Sequence, residues 1–212
     1  MGLEENKYTH LVELGGSDYE IVDGEPDIRG WDVKNKVGLK IGEVDELLFD
    51  PQTRKVRYIV VDVNNSELDT EQKKILVPIG TAVLYDGERI HDNDNLHNRR
   101  SENSVSEDVV VESGSPLLTQ EHNDTTYNPN DDGKVVVIPV SVEHILQLPA
   151  YEKEAISPET ELAVRRVFNG LDETETNTGA IEYKPEEFYD HEHFNEEKFY
   201  NAKTSSNIRK KL

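Results

Sequence analysis

Apolar residues in this chain gather in a few short runs separated by long polar stretches. The clearest run is residues 42–63, GEVDELLFDPQTRKVRYIVVDV, answered by ILVPIG at 75–80. Leu47, Leu48 and Phe49 lead into Asp50-Pro51, where proline presets φ and the aspartate can accept backbone hydrogen bonds. Val56 to Val61 then return in β-branched and aromatic residues, the composition of a packed strand. The reading is two strands joined by a short turn, with a third strand at 75–79, the makings of a small β-barrel. Along the second strand, Val56, Tyr58 and Val60 point one way and Arg57, Ile59, Val61 and Val63 the other. Neither face is cleanly polar, so the strand is expected to lie between the barrel interior and a covering helix, loop or second subunit.

The remaining runs are shorter. Tyr19, Ile21, Val22, Ile28 and Trp31 are interleaved with turn residues between 17 and 32, and Trp31 reads as a core or lid residue. Gly38 and Gly42 suit the tight bends of a small barrel. Residues 82–84 and 89–90 flank Asp86-Gly87, a turn pair. Residues 135–140 predict another strand, with Pro139 marking an edge or a strand end. Ser141 can cap one turn, in which His144 reads as a capping or surface residue. Ser157-Pro158 opens the most secure helix, with Glu159 and Glu161 at its positive end and Asn169-Gly170 as its stop. Leu162, Ala163, Val167 and Phe168 are its expected apolar face.

Taken in order, SDYEIVDGEPDIRGWDV (17–33), IGEVDELLFD, KVRYIVVDV and ILVPIG resemble the PRC-barrel family, whose founding member is the cytoplasmic domain of the photosynthetic reaction-centre H subunit. VVVIPVSVEHILQLPAYEKEAISPETELAVRRVF (135–168) is similar to the same domain's closing strand, leucine-proline turn and C-terminal helix. The resemblance spans residues 11–91 and 134–170 and implies a mainly β fold. The expected organisation is a lead at 1–16 and a PRC-like barrel at 17–170 with one C-terminal helix. A long polar insertion at 92–133 interrupts that barrel, and an acidic-aromatic tail follows at 171–212. The membrane-spanning helix of the H subunit has no counterpart here.

Composition narrows the functional classes. The formal charge is −21, with 44 acidic against 23 basic residues. Nucleic acids and anionic membranes are bound through clustered cations, and Arg209-Lys210-Lys211 is the only such run. No cysteine is present, which removes disulfides, thiolate catalysis and cysteine metal sites. MGLEENK lacks the apolar core of a signal peptide and no run approaches the length of a spanning helix, so a cytoplasmic protein is expected. Six of the aromatic residues fall in the tail: Tyr183, Phe188, Tyr189, Phe194, Phe199 and Tyr200. Such a segment either docks on its own barrel or a sister subunit, or binds another surface.

Candidate chemistry is sparse. The carboxylates Asp18, Glu20, Asp23, Glu25 and Asp27 could bind calcium, but a solvated loop beside turns is the better account of them. Glu187 and His191 stand four apart, so a helix would place them on one face, with His193 within reach. Zinc accepts such ligands, but an acid-rich tail produces the same spacing by chance. No nucleophile elbow, phosphate-binding loop or Ser/His/Asp set is visible. The expectation is a non-enzymatic protein-interaction or assembly module without a cofactor, acting on an unidentified protein partner and forming a homo-oligomer. The alternatives are a stress-related sensor of a small ligand or metal, and a ribosome-assembly factor, since a PRC-like barrel also occurs in a bacterial 16S rRNA maturation factor.

Overall fold

The computed structural model describes residues 10–64, 72–86, 127–129, 133–153, 155–171, 183–200 and 208–211. Its strands are β1 (Val12–Glu13), β2 (Tyr19–Ile21), β3 (Asp32–Asn35), β4 (Lys40–Asp50), β5 (Lys55–Val63), β6 (Lys73–Pro78), β7 (Val83–Tyr85), β8 (Val135–Ile138) and β9 (Ile208–Lys210). Four helices, α1 (Val142–Gln147), α2 (Pro158–Asn169), α3 (Pro185–Phe188) and α4 (Glu196–Tyr200), follow β8. The fold is mainly β. The expected insertion falls largely on residues 92–126 and 130–132, outside the described residues.

The centre is the antiparallel pair β4–β5, which pairs from Glu43↔Asp62 to Asp50↔Lys55. Its turn is closed by Asp50 as the sequence leads one to expect. The Asp50 carboxylate accepts from the Gln52 N–H (2.8 Å) and the Thr53 hydroxyl (2.8 Å), and its carbonyl accepts from the Arg54 N–H (2.7 Å). These bonds hold Arg54 in the left-handed region at φ 56°. Around this pair the strands run β6-β5-β4-β3-β8-β7, with β1 on β4. All neighbours are antiparallel except β3 and β8, which run parallel from Asp32↔Val135 to Asn35↔Ile138. β8 therefore lies inside the sheet, and Pro139 marks its end.

The two outer strands of that path, β6 and β7, are consecutive in sequence and joined by the 3₁₀ turn Ile79–Thr81. The sheet must therefore curl to bring its ends together. Among the described residues no ladder joins β6 to β7, so hydrogen bonding does not close the curl into a ring.

Every residue from Val56 to Val61 is buried, Arg57 included. The covering layer on this two-sided strand comes from the same chain: the Tyr58 ring meets Phe194 edge-on at 5.3 Å, and the Arg57 guanidinium lies 4.6 Å from the Tyr189 ring centre. Helix α2 starts with Ser157 accepting from the Thr160 N–H, and Pro158 is its first residue. Its buried positions are Glu161, Val164 and Phe168. The expected apolar face holds in part: Phe168 is buried and Leu162 and Val167 pack partly buried against the core, while Val164 joins them and a buried carboxylate occupies the first turn. Periodicity ranks Glu161 as solvent-facing, whereas tertiary partners make it a core residue.

Gly42 marks the closest approach of β4 to β5. A Cβ there would stand 1.9 Å from the Asp62 carbonyl oxygen, a backbone atom that cannot turn aside. Gly42→Ala is expected to lower stability by about 1–3 kcal/mol through overpacking. Urea unfolding with an unchanged m-value and a lower midpoint would show it, whereas an unshifted midpoint would contradict the tight β4–β5 contact.

Candidate functional site

The largest gathering of polar side chains inside the molecule lies where α2, β5 and the tail meet. Glu161 on α2 is 1% exposed. A carboxylate this dry must be supplied with donors, because losing its hydration costs several kcal/mol. The hydroxyls of Tyr183 and Tyr189 both donate to it, one to each oxygen. With its proton committed to Glu161, the Tyr189 hydroxyl accepts from His10 Nε2 at 2.6 Å. The buried Tyr58 hydroxyl faces the same carboxylate. Burial, reinforced by the Glu161 charge, raises the pKa of Tyr58, Tyr183 and Tyr189, so all three stay protonated across the physiological range.

The apolar part of this seam comes from the tail. Phe188, Tyr189, Phe194 and Phe199 are buried and join the core. Phe188, Tyr189 and Phe194 stack mutually with ring centres 4.9–5.3 Å apart. Gly80, in the turn between β6 and β7, lets the tail seat. A Cβ at that position would lie 2.4 Å from the Glu192 carbonyl oxygen.

A second carboxylate fixes α4. Glu196 is 3% exposed and accepts from the Val56 N–H at 2.9 Å, satisfying a donor at the start of β5. Burial pushes its pKa up to about 7, against the pull of the Val56 N–H, Lys55 and Arg57. Arg57 beside it is also buried. Desolvation lowers its pKa, and Asp50, Tyr189 and Glu196 favour the charge. Its guanidinium makes a long hydrogen bond, 3.4 Å to the Thr53 hydroxyl.

Three carboxylates of the N-terminal acidic run, Glu20, Asp23 and Asp27, meet cations of the protein itself. Asp27 pairs with Arg29. Glu20 and Asp23 receive Arg209 from β9 at 2.9 and 2.7 Å. Arg209 of the C-terminal basic run is thus engaged with the chain's own acids, and Lys211 Nζ donates to the Ser17 carbonyl. A cleft of 480 Å³ lies along Tyr19–Glu25, with Asp27, Arg29 and Lys211 on its border.

The candidate zinc ligands are placed differently from the expectation. α3 ends at Phe188, so no helix carries Glu187 and His191 on one face. His191 sits beyond it as the cap of the 3₁₀ turn Glu192–Phe194, where its Nδ1 accepts from the His193 N–H at 3.2 Å. The two imidazoles stack at 4.3 Å, while exposed Glu187 turns to Lys184 at 3.8 Å. Among the described residues no three His, Asp or Glu side chains converge on a point a metal could occupy. His144 completes a capping box with Ser141. Sequence reading missed Glu161, Glu196 and Arg57. The one available signal was an arginine inside an otherwise apolar strand.

The arrangement can hold the tail, and it can hold or release a proton at Glu196. Two outcomes are expected. Tyr189→Phe removes a charge-assisted hydrogen bond from a buried carboxylate and should cost about 2–3 kcal/mol in chemical unfolding. A loss within error of zero would mean that Glu161 is served without it. For Glu196, the native state keeps a proton that the unfolded chain, with a value of 4.5, has released. Its contribution is complete below pH 4.5 and lost as pH rises to about 7. A shift of that size corresponds to at most about 3 kcal/mol. Glu196→Gln keeps an acceptor for Val56 and should remove that part of the fall in stability. Parallel pH profiles for the two proteins would contradict the assignment.

No curated protein matches the chain. The family model for the PRC-barrel domain matches residues 24–94, a span that holds β3 to β7 and ends before β8, α2 and the tail. Over residues 24–94 the chain is thus similar to the PRC-barrel domain.

Proposed function

We propose that the chain is a non-enzymatic protein-interaction or assembly module of the PRC-barrel type, acting in the cytoplasm. The observation that carries this reading is the use to which the buried polar groups are put. Glu161, Tyr183, Tyr189 and Glu196 bind the tail to β5 within the PRC segment and to α2 beyond it. No nucleophile stands beside a base among them. Such a seam builds a fixed outer surface around the curled sheet, which is what a docking module presents. Among the described residues no helix is long and apolar enough to cross a membrane. A charge of −21 favours protein surfaces over nucleic acid, which weighs against ribosome assembly.

A second reading, a small-ligand sensor, draws on a 300 Å³ cleft. Leu11, Leu48, Ile156 and Tyr151 form part of its wall, together with the Glu13–Lys153 ion pair. Apolar walls with few polar groups suit a small molecule.

The two are separated by co-purification of the full-length chain from its source cells at low and moderate salt. Recovery of one protein in constant ratio, reproduced with purified components, is the expected result. Free chain whose melting temperature rises with a metabolite or metal ion would overturn the module reading in favour of the sensor, and recovery of ribosomal particles would favour the assembly factor. The expectation of a homo-oligomer drew on the two-sided β5 and on the aromatic tail. Both are covered within one chain, and the exposed large apolar residues among those described, Val12, Val37, Val83 and Leu146, are scattered along it. Light scattering should accordingly return the 24.2 kDa monomer at micromolar concentration, and a doubled mass would restore the oligomer.

A further inference from the structure

β9 lies against the edge of β2 as an added strand, with Tyr19↔Lys210, Glu20↔Arg209 and Ile21↔Ile208 in antiparallel register. The ladder is extended by the Lys211 N–H, which donates to the Asp18 carbonyl at 2.7 Å. Main-chain pairing of this kind attaches an extended segment, and its side chains supply selectivity. Ile208 is the apolar anchor, 1% exposed. Arg209 reads two carboxylates at once. Its Nε donates to Glu20 at 2.9 Å, and its Nη1 and Nη2 grip both oxygens of Asp23 at 2.7 and 2.9 Å. Lys211 Nζ donates to the Ser17 carbonyl at 2.7 Å.

This attachment is weak relative to what it resembles. β2 and β9 form a separate two-stranded sheet of three residues each, and isolated ribbons of that size are marginal. The carboxylates and guanidinium are substantially exposed, at 41% for Glu20, 42% for Arg209 and 85% for Asp23, so solvent and salt screen them. The acidic surface also extends past the strand. The 480 Å³ cleft continues along Glu20, Asp23 and Glu25 to Asp27, with Lys211 on its border. A longer basic strand could use the β2 edge and more of that cleft.

We propose that the edge of β2 is a strand-acceptor site for an extended basic segment of a partner protein, and that β9 is its resident occupant. This rests on the interaction-module reading and names its surface and the chemistry of its partner. An apolar residue followed by arginine, as in Ile208-Arg209, is the motif the edge selects. The C-terminal strand competes with the partner in cis, so only a segment making more contacts than β9 displaces it.

The probe is a labelled synthetic peptide, SNIRKKL, with the sequence of residues 206–212, titrated into the full chain and into its Arg209→Glu variant. Arg209 is at the surface, and an unchanged unfolding midpoint checks that the variant stays folded. Releasing the cis competitor removes a high local concentration, so Arg209→Glu should bind the peptide at least about ten-fold more tightly than the unaltered chain. Amide shifts should fall on residues 18–23, and adding Asp23→Lys to the variant should abolish the gain. Equal binding by both proteins, shifts elsewhere, or a gain that survives Asp23→Lys overturns the site. If Arg209→Glu proves unfolded, amide exchange at Ile21 and Lys211 in the unaltered chain decides. Excess peptide must alter it, and no change overturns the proposal. Failure here while a partner still co-purifies would remove this surface and leave the module reading in place.

Discussion

Glu161 sits in the first turn of α2 at 1% exposure, and the packing of three distant parts of the chain follows from what a dry carboxylate requires. Its lost hydration must be replaced by donors of fixed geometry. Tyr183 and Tyr189 provide them from the tail, and His10 supports Tyr189 from the N-terminal side. Once the two tyrosines are held, Phe188 and Phe194 have only one place to go: over α2 and β5, where Tyr58 receives Phe194. Apolar contact gives most of the gain, as it does in any core. The hydrogen bonds set the register, because rings can slide on an apolar surface and hydroxyls on a carboxylate cannot.

The second buried carboxylate works differently. Glu196 serves a single backbone donor, the Val56 N–H, and lies close to Arg57 without bonding it. Its environment favours the neutral form, in contrast to the fully donated surroundings of Glu161. The tail is thus held at one end by a carboxylate rich in donors and at the other by one poorly supplied. The same side-chain type gives a donor-rich anchor at Glu161 and a proton-linked one at Glu196, where burial dominates.

Charge is distributed with similar economy. A chain at −21 must place its few cations with care, and several of them sit on acidic neighbours at the surface. Lys40 lies between Asp32 and Glu43, Lys74 on Asp45, Lys198 on Glu192, and Arg209 across Glu20 and Asp23. Exposed pairs of this kind add little stability individually. Their effect is to position segments, most visibly the C-terminal strand. Arg209, from a basic run that in isolation suggests a polyanion ligand, is here the counter-charge of Glu20 and Asp23.

The sequence by itself determined the local elements and the likeness of residues 24–94 to the PRC-barrel domain. The β4–β5 pair with its Asp50 turn, β6 and β8, the Ser157-Pro158 start of α2 and the Ser141 cap are all set by neighbours a few residues apart. Turn chemistry and β-branched runs report such neighbours directly. The burial of Glu161 and Glu196, the cover over both faces of β5, the loss of a helical frame for Glu187 and His191, and the pairing of β9 with β2 were decided only by tertiary structure. Each depends on partners far apart in the chain: His10 with Tyr189 at 179 residues, Val56 with Glu196 at 140, Glu20 with Arg209 at 189. Periodicity assigns a carboxylate to solvent by default, and nothing local records that a distant tyrosine will replace its water.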